Sequence, residues 1–372
     1  MIVGIFHPTL NICGGAEWVA VNIIKSLKNE GHRIVVLTNE KVNREKIIRT
    51  FGNDIKYDAN IVFPLEFFPS TDFHNVYTDA IRVMLLKFKC DVLIDTQSNA
   101  LLPGANITYI HFPLSGRLKI SRSDRLRSSY YFFYKCYERV EARNSRRLVL
   151  ANSKFTVNAI KKITGADCSL LYPPISNACH INPNEILEKE NTVVSVSRIS
   201  PGKLQATIPR IARLSNKKIK FLIIGLKESS STLKQILESI KRNGVSDRVE
   251  VLTDISKEEL LKILRTSKVF LHPAHGEHFG IAIVEAMAMG CIPIVHNSGG
   301  PVEFVPEPFR FNKLEQAARK IEKAIFEWSP QKAIRFVRIA QFFREEKFSE
   351  NFLKMFNSYV RRFYVNDNDN SN

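Results

Sequence analysis

The stretch from His275 to Pro301, H-G-E-H-F-G-I-A-I-V-E-A-M-A-M-G-C-I-P-I-V-H-N-S-G-G-P, constrains the fold more than any other part of the chain. Val284, Met287 and Ala288 recur at helical spacing, and Met289-Gly290 supplies the glycine that commonly ends a helix. Cys291 to Val295 reads as a buried strand running into Ser298-Gly299-Gly300-Pro301. With Val269 to His272 as the preceding strand, the order is strand, loop, helix, strand, Gly-rich loop. That order belongs to an open α/β sheet, whose ligands sit beyond the carboxyl ends of the strands.

Two glutamates, Glu277 and Glu285, stand eight residues apart across the loop and the helix it enters. The helix N-terminus near Gly280 offers free N–H groups and a partial positive charge to a phosphate. Glu277 can accept hydrogen bonds from neighbouring sugar hydroxyls. Glu285, about 12 Å further along the axis at ~1.5 Å per residue, can do the same for a ribose diol. An isolated pair of this kind is ordinarily two solvated surface residues; the flanking glycines and the apolar helix face favour the ligand reading here.

Taken together, these residues resemble the E-x7-E signature of glycosyltransferase family 4, retaining enzymes of GT-B architecture. H-F-G-I-A-I-V-E-A-M-A-M-G followed by H-N-S-G-G-P is similar to the α-1,2-mannosyltransferases that extend the dolichol-linked oligosaccharide. Y-I-H-F-P-L-S (Tyr109 to Ser115) and L-Y-P-P (Leu171 to Pro174) are similar to the same subgroup. The resemblance implies two Rossmann-like α/β domains facing across a cleft. Residues 1–174 form an acceptor domain, 175–345 a sugar-nucleotide domain, 346–365 a helix returning to the first domain, and 366–372 a disordered polar tail.

At 372 residues the chain is long enough for two such domains, and 44% hydrophobic with 24% charged residues is ordinary globular composition. The six cysteines are scattered without a C-x-x-C pair, which speaks against a zinc site or a disulfide framework. Met1 leads directly into I-V-G-I-F, with no basic start or cleavage site, so no signal peptide is expected. No apolar run reaches the ~20 residues of a membrane span. The expected location is cytoplasmic, peripheral on the cytosolic face of a membrane.

The formal charge of +17 calls for an anionic partner. Between Arg117 and Arg147 lie ten basic and three acidic residues, with Tyr130-Tyr131-Phe132-Phe133-Tyr134 among them. Arg117, Lys119, Arg122, Arg125 and Arg127, with Tyr130, Tyr131, Phe132 and Phe133, fit a helix docked on an anionic membrane. They also fit a half-buried helix with core aromatics and solvated arginines.

In the N-terminal half, Ile2 to Phe6 reads as a strand, Gly14-Gly15 as the following loop, and a helix starts near Ala16. Ala16, Val19, Ala20, Ile23, Ile24 and Leu27 share one face of it. By resemblance, Gly14 and Gly15 approach the donor pyrophosphate or the acceptor. Glu17 is expected to be a first-turn residue stabilised by the helix dipole. His111, at a strand's carboxyl end, is by itself more often structural; the resemblance makes it a sugar or transition-state contact. Asn152-Ser153 reads as a helix cap.

In the C-terminal half, Thr192 to Arg198 reads as a strand and Lys203 as the opening of a helix. By resemblance, Arg198 and Lys203 neutralise the leaving diphosphate. Glu277, His278, Phe279, Gly280, Ile281 and Glu285 complete the implied donor site. No Asp-x-Asp stands at a strand end, so no metal or other cofactor is expected beyond the sugar-nucleotide donor itself. The implied donor is GDP-mannose and the implied acceptor a lipid-linked or membrane-associated glycan. A UDP-sugar transferase, a sugar-nucleotide epimerase and a basic nucleic-acid-binding protein are the rival readings. The nucleic-acid reading lacks any recognition motif, and the sequence leaves the oligomeric state open.

Overall fold

The computed structural model describes residues 1–52, 54–64, 76–117, 125–181 and 189–365. It divides into two units, one of Met1–Pro174 with Glu345–Asn372, the other of Ile175–Arg344. The tail 366–372, and Lys119 and Arg122 of the basic aromatic segment, lie outside the described residues, as do the side chains of Arg117, Arg125, Arg127 and Tyr130.

The first unit alternates strand and helix: β1 (Ile2–Phe6), α1 (Gly15–Asn29), β2 (Arg33–Thr38), α2 (Arg44–Phe51), β3 (Ala59–Val62), α3 (Val76–Lys87), β4 (Val92–Asp95) and β5 (Ile107–Ile110). It continues with α4 (Leu114–Arg117), α5 (Arg125–Glu141), β6 (Leu148–Ala151), α6 (Lys154–Thr164) and β7 (Ser169–Leu170). The sheet order is β3-β2-β1-β4-β5-β6-β7. Every described pairing in it is parallel. The inner strands are continuous apolar runs because helices cover both faces. Chain order reverses between β1 and β4, and in such sheets the ligand position lies beyond the carboxyl ends of those strands, here Phe6 and Asp95.

α1 carries the expected apolar face, but Trp18, Val21, Asn22 and Ser26 on its other sides are buried too. The covering element is α13 (Glu345–Val360), which packs on α1 and buries Phe348, Phe352 and Phe356 at i, i+4 spacing. Lys25 Nζ reaches Glu345 at 2.9 Å. Trp18 Nε1 donates to the Pro174 carbonyl at 3.0 Å, so the indole is buried without an orphaned N–H.

α5 corrects part of the docking expectation. Tyr131 and Tyr134 are fully buried in the core shared with Val83 and Leu86 of α3. Tyr134 Oη donates to the buried Glu138 at 2.6 Å. Arg147 is likewise inside, paired with Glu141 and donating to the Leu102 carbonyl. Among its described side chains the aromatic run is thus split by helical periodicity, with Phe132 and Phe133 facing outward.

The second unit runs β8 (Glu190–Val196), α7 (Ile208–Leu214), β9 (Lys220–Gly225), α8 (Ser230–Asn243), β10 (Val249–Thr253), α9 (Lys257–Thr266) and β11 (Ser267–His272). It closes with α10 (Ile281–Ala288), β12 (Ile292–His296), β13 (Arg310–Phe311), α11 (Leu314–Phe326) and α12 (Pro330–Ala340). The parallel order is β10-β9-β8-β11-β12-β13, with the reversal between β8 and β11. Lys203 does not open a regular helix. Two 3-10 turns, Pro201–Lys203 and Gln205–Thr207, are separated by Leu204 at φ +52°, and α7 starts only at Ile208. The left-handed backbone at Leu204 is what interrupts the helix.

A buried cation ties this unit together. Lys189 Nζ donates to the carbonyls of Leu264, Ser267 and Met289 at 2.7–3.0 Å. These lie at the C-terminal ends of α9 and α10, where carbonyls lack helical partners and the dipole favours a cation. Replacing Lys189 with Met keeps the volume but strands three buried acceptors. The expected loss is about 3 kcal/mol or more, seen as a lower urea midpoint at constant slope. An unchanged midpoint would show that the carbonyls are satisfied in another way.

Candidate donor site

The switch point of the second unit collects its charged residues. β8 ends just before Arg198 and Lys203, and β11 ends at His272. Lys203 Nζ lies 2.6 Å from Glu277 Oε2, and His272 Nε2 lies 2.8 Å from the same oxygen. Oε1 accepts the His278 backbone N–H at 3.2 Å. Glu277 is largely withdrawn from water, its side chain only 11% exposed. Burial alone would raise its pKa, but the His272 hydrogen bond and the Lys203 charge outweigh it and hold the carboxyl well below its ordinary range. A fixed, ionised acceptor thus stands beside a cation at the mouth of the sheet.

The loop bearing Glu277 is clamped from the other side by the second Gly-Gly. Gly300 N–H donates to the Glu277 carbonyl at 2.7 Å. A Cβ on Gly299 would fall 2.2 Å from the Glu277 oxygen, and one on Gly300 2.1 Å from the His278 oxygen. These glycines therefore serve backbone-to-backbone contact. His275 and His296 stack with ring centroids 3.8 Å apart. Ser298 Oγ accepts the Gly276 N–H at 2.8 Å and bonds His296 Nδ1 at 2.7 Å. Burial, with His275 alongside, lowers the His296 pKa, which suits a neutral ring accepting the Ser298 O–H.

α10 begins after Gly280 at φ +90°, and this N-cap residue has no side chain with which to cap the helix. Its first N–H groups are therefore available to an anion. Phe279 departs from the donor-contact expectation: its ring is 2% exposed and packs against Phe304 and Phe343, so it anchors the loop in the core. Arg198 is not drawn into the Glu277 cluster. It is half exposed and pairs with Glu228 at 2.7 Å.

Glu285, on α10, is held by residues that the sequence did not single out. Lys257 Nζ lies 2.9 Å from its Oε1, and Cys179 Sγ donates to the same oxygen at 3.4 Å. His272 was missed as well, although a histidine ending a strand five residues before Glu277 was the available signal.

In the first unit, Gly14 precedes α1, and its N–H donates to Glu17 Oε2 at 2.6 Å. Glu17 is more than a first-turn residue. It is 2% exposed, and its Oε1 lies 3.3 Å from Nε2 of the buried His7. Burial opposes its ionisation, and the His7 hydrogen bond and charge reverse that, lowering its pKa. His7 Nδ1 meets Thr96 Oγ1 at 2.8 Å, while His111 Nε2 lies 3.1 Å from the Thr96 carbonyl. Thr96 thereby links His111 to the loop of Gly14 and Gly15. His7, just after the first strand, had no sequence motif to mark it.

Gly300→Ala places a methyl group against a carbonyl oxygen. Overpacking of this kind costs roughly 1–3 kcal/mol, and the displaced loop carries Glu277. The expected outcome is a lowered melting temperature with weakened binding of nucleoside diphosphate, both measurable on one preparation. Wild-type values for both would mean that the clamp is not needed.

Residues 179–336 match the family model described as glycosyl transferases group 1. Among curated proteins, the chain is similar to the GDP-Man:Man(3)GlcNAc(2)-PP-Dol alpha-1,2-mannosyltransferases of Candida albicans, Dictyostelium discoideum and Homo sapiens. The first is 25% identical over 81% of this chain, which spans 61% of that relative's length. The second is 24% identical over 99% of this chain and 87% of the relative. The human protein is 26% identical over 81% and 73%. Among solved structures, Anabaena HepE in complex with UDP and glucose superposes with TM-score 0.73 at 18% identity, covering 96% of this chain and 100% of that one. WaaG, a glycosyltransferase involved in lipopolysaccharide biosynthesis, gives 0.67 at 15% identity, covering 92% and 95%. With two Rossmann-like units and the E-x7-E helix at the second switch point, the chain has the GT-B fold, and its residues 179–336 are similar to the glycosyl transferases of group 1.

Proposed function

We propose that the chain is a retaining, metal-independent mannosyltransferase that takes mannose from GDP-mannose and adds it to a lipid-linked glycan at the cytosolic face of a membrane. The observation that carries the donor half is the Lys203–Glu277–His272 cluster beside the open N-terminus of α10. The choice of mannose and of a lipid-linked acceptor is supported by the similarity to GDP-Man-dependent alpha-1,2-mannosyltransferases.

In this reading the diphosphate lies against the first turn of α10. Lys203 has three N–H donors and uses one on Glu277, so it can keep that contact and still reach a phosphate oxygen. Arg198 exchanges its exposed partner Glu228 for the other phosphate. Glu277 accepts hydroxyls of the sugar, and Glu285 accepts from the ribose. The acceptor hydroxyl attacks the anomeric carbon from the face the diphosphate leaves and passes its proton to the departing phosphate oxygen. The C–O bond to phosphate breaks as the new glycosidic bond forms, which preserves the configuration. The growing negative charge falls on Lys203, Arg198 and the helix dipole.

Transfer from GDP-mannose, UDP-glucose and UDP-N-acetylglucosamine to a short-chain lipid-linked glycan, with and without chelator, tests the reading. Expected is an α-mannosyl product from GDP-mannose at a rate unchanged by chelator. Lys203→Ala should lower that rate by about a hundred- to a thousandfold. Transfer from a UDP-sugar alone, or loss of activity with chelator, would replace the donor or the metal-free mechanism.

No helix among the described residues is long and apolar enough to cross a membrane. Two neighbouring helices nevertheless present apolar side chains to solvent. α5 exposes Phe132, Phe133, Arg139 and Val140, and the exposed Arg143 follows just beyond its end. α3, which shares its core, exposes Met84 and Leu85, with Phe88 just beyond its end. Exposed aromatics on a helix that also exposes a cation suit an anionic lipid surface, where each cation is worth about 1 kcal/mol. The protein should float with anionic liposomes at low salt, and Phe132→Ser with Phe133→Ser should abolish flotation while leaving the buried Tyr131 untouched. Failure of the wild type to float would remove membrane docking from the proposal.

A further inference from the structure

α9 breaks a local rule at its first residue. Ser256 caps the helix by accepting the Glu259 N–H, and Glu258 and Glu259 suit the positive end of the dipole. Lys257, the first residue of the helix, does not, because a cation there is repelled by the same dipole. It is also largely buried, its side chain 23% exposed, which costs further free energy for a lysine. A residue kept against both penalties needs a compensating partner, and that partner is Glu285.

The pairing is asymmetric. Lys257 Nζ and Cys179 Sγ both bond Oε1 of Glu285, at 2.9 and 3.4 Å. Oε2 takes no hydrogen bond among the described residues, and the side chain retains 15% exposure. A glutamate left to itself rotates nearly freely about its terminal torsion and presents either oxygen. Two donors on one oxygen remove that freedom and turn the other oxygen outward. Cys179 is 2% exposed, and burial and the adjacent carboxylate push its thiol far above the ordinary range, so it stays an S–H donor.

We infer that Lys257, assisted by Cys179, is a positioning residue that pins Oε1 of Glu285 and thereby assigns Oε2 alone to the ribose hydroxyls of the donor nucleotide. The inference rests on the reading of Glu285 as the ribose acceptor. Lys257 touches neither substrate nor reacting atoms. Its action is seen as selectivity for a ribose that carries hydroxyls over one that lacks them.

Calorimetry with GDP and UDP, each against its 2′,3′-dideoxy counterpart, measures that selectivity. A hydrogen bond to a charged acceptor makes the wild type prefer the tighter-binding ribonucleotide by about ten- to a hundredfold. Glu285→Ala, which leaves no group to meet the ribose hydroxyls, should bring the preference close to unity. Lys257→Met should do nearly the same, Lys257→Arg should restore most of it, and Cys179→Ala should lower it by a smaller factor. A variant that merely loosened the fold would weaken both nucleotides of a pair alike and leave the ratio unchanged. Lys257→Ala replaces the methionine variant if that chain does not fold. Loss of the preference in Glu285→Ala with its retention in the folded Lys257 variant overturns the positioning role. Retention in Glu285→Ala itself overturns the ribose reading and the inference with it.

Discussion

A carboxylate that must remain ionised while almost entirely removed from water governs the second unit. Glu277 can do so only because His272 and Lys203 converge on one of its oxygens and a backbone N–H on the other. Each of those partners has to be delivered by a different element: the end of β11, the turn after β8 and the loop itself. The parallel sheet, with its reversal between β8 and β11, brings the strand ends close enough for this. The Gly299-Gly300 segment then fixes the loop by contact too close for any side chain. Removing one partner would leave a buried charge uncompensated, which is far more costly than never having built the network.

The same logic appears three times in the chain with different residues. Glu17 is kept ionised by His7 and Gly14 N–H, Glu285 faces Lys257, and Lys189 is surrounded by carbonyls. Glu17 sits in the first turn of α1 and Lys189 at the C-terminal ends of α9 and α10, where unpaired backbone groups and dipoles already favour the sign each carries, whereas Lys257 meets Glu285 against the dipole of α9. Glu17 adjoins the loop of Gly14 and Gly15. Lys189 instead closes two helix ends and serves stability.

Much of this was legible in the sequence because it followed period and spacing. The inner strands are unbroken apolar runs, α1 shows its helical face, and Glu277 and Glu285 bracket a helix start between glycines. Partners distant in sequence were not legible. Lys257 lies 28 residues from Glu285 and Cys179 lies 106 away, and nothing local in either segment points to the contact. β3 and β7 were missed because short edge strands lack a two-sided apolar run. α12 was missed because its cations obscure an apolar face that only Ala333, Phe336, Val337 and Ala340 supply. The aromatic run of α5 was ambiguous for another reason. Five consecutive aromatics show no period, and only the core against α3 decides that Tyr131 and Tyr134 point inward while Phe132 and Phe133 do not.

The return of α13 to the first unit makes the second an uninterrupted insertion, residues 175 to 344, in a unit that is itself discontinuous. The two crossings run side by side, with Ile175 N–H bonded to the Phe343 carbonyl at 2.8 Å. During synthesis the insertion has all its strands before the host has its last helix. Until Phe348, Phe352 and Phe356 emerge, the part of α1 that packs on α13 lacks that apolar cover. A chain that ends at residue 344 therefore has every strand of the second unit while the first still lacks α13.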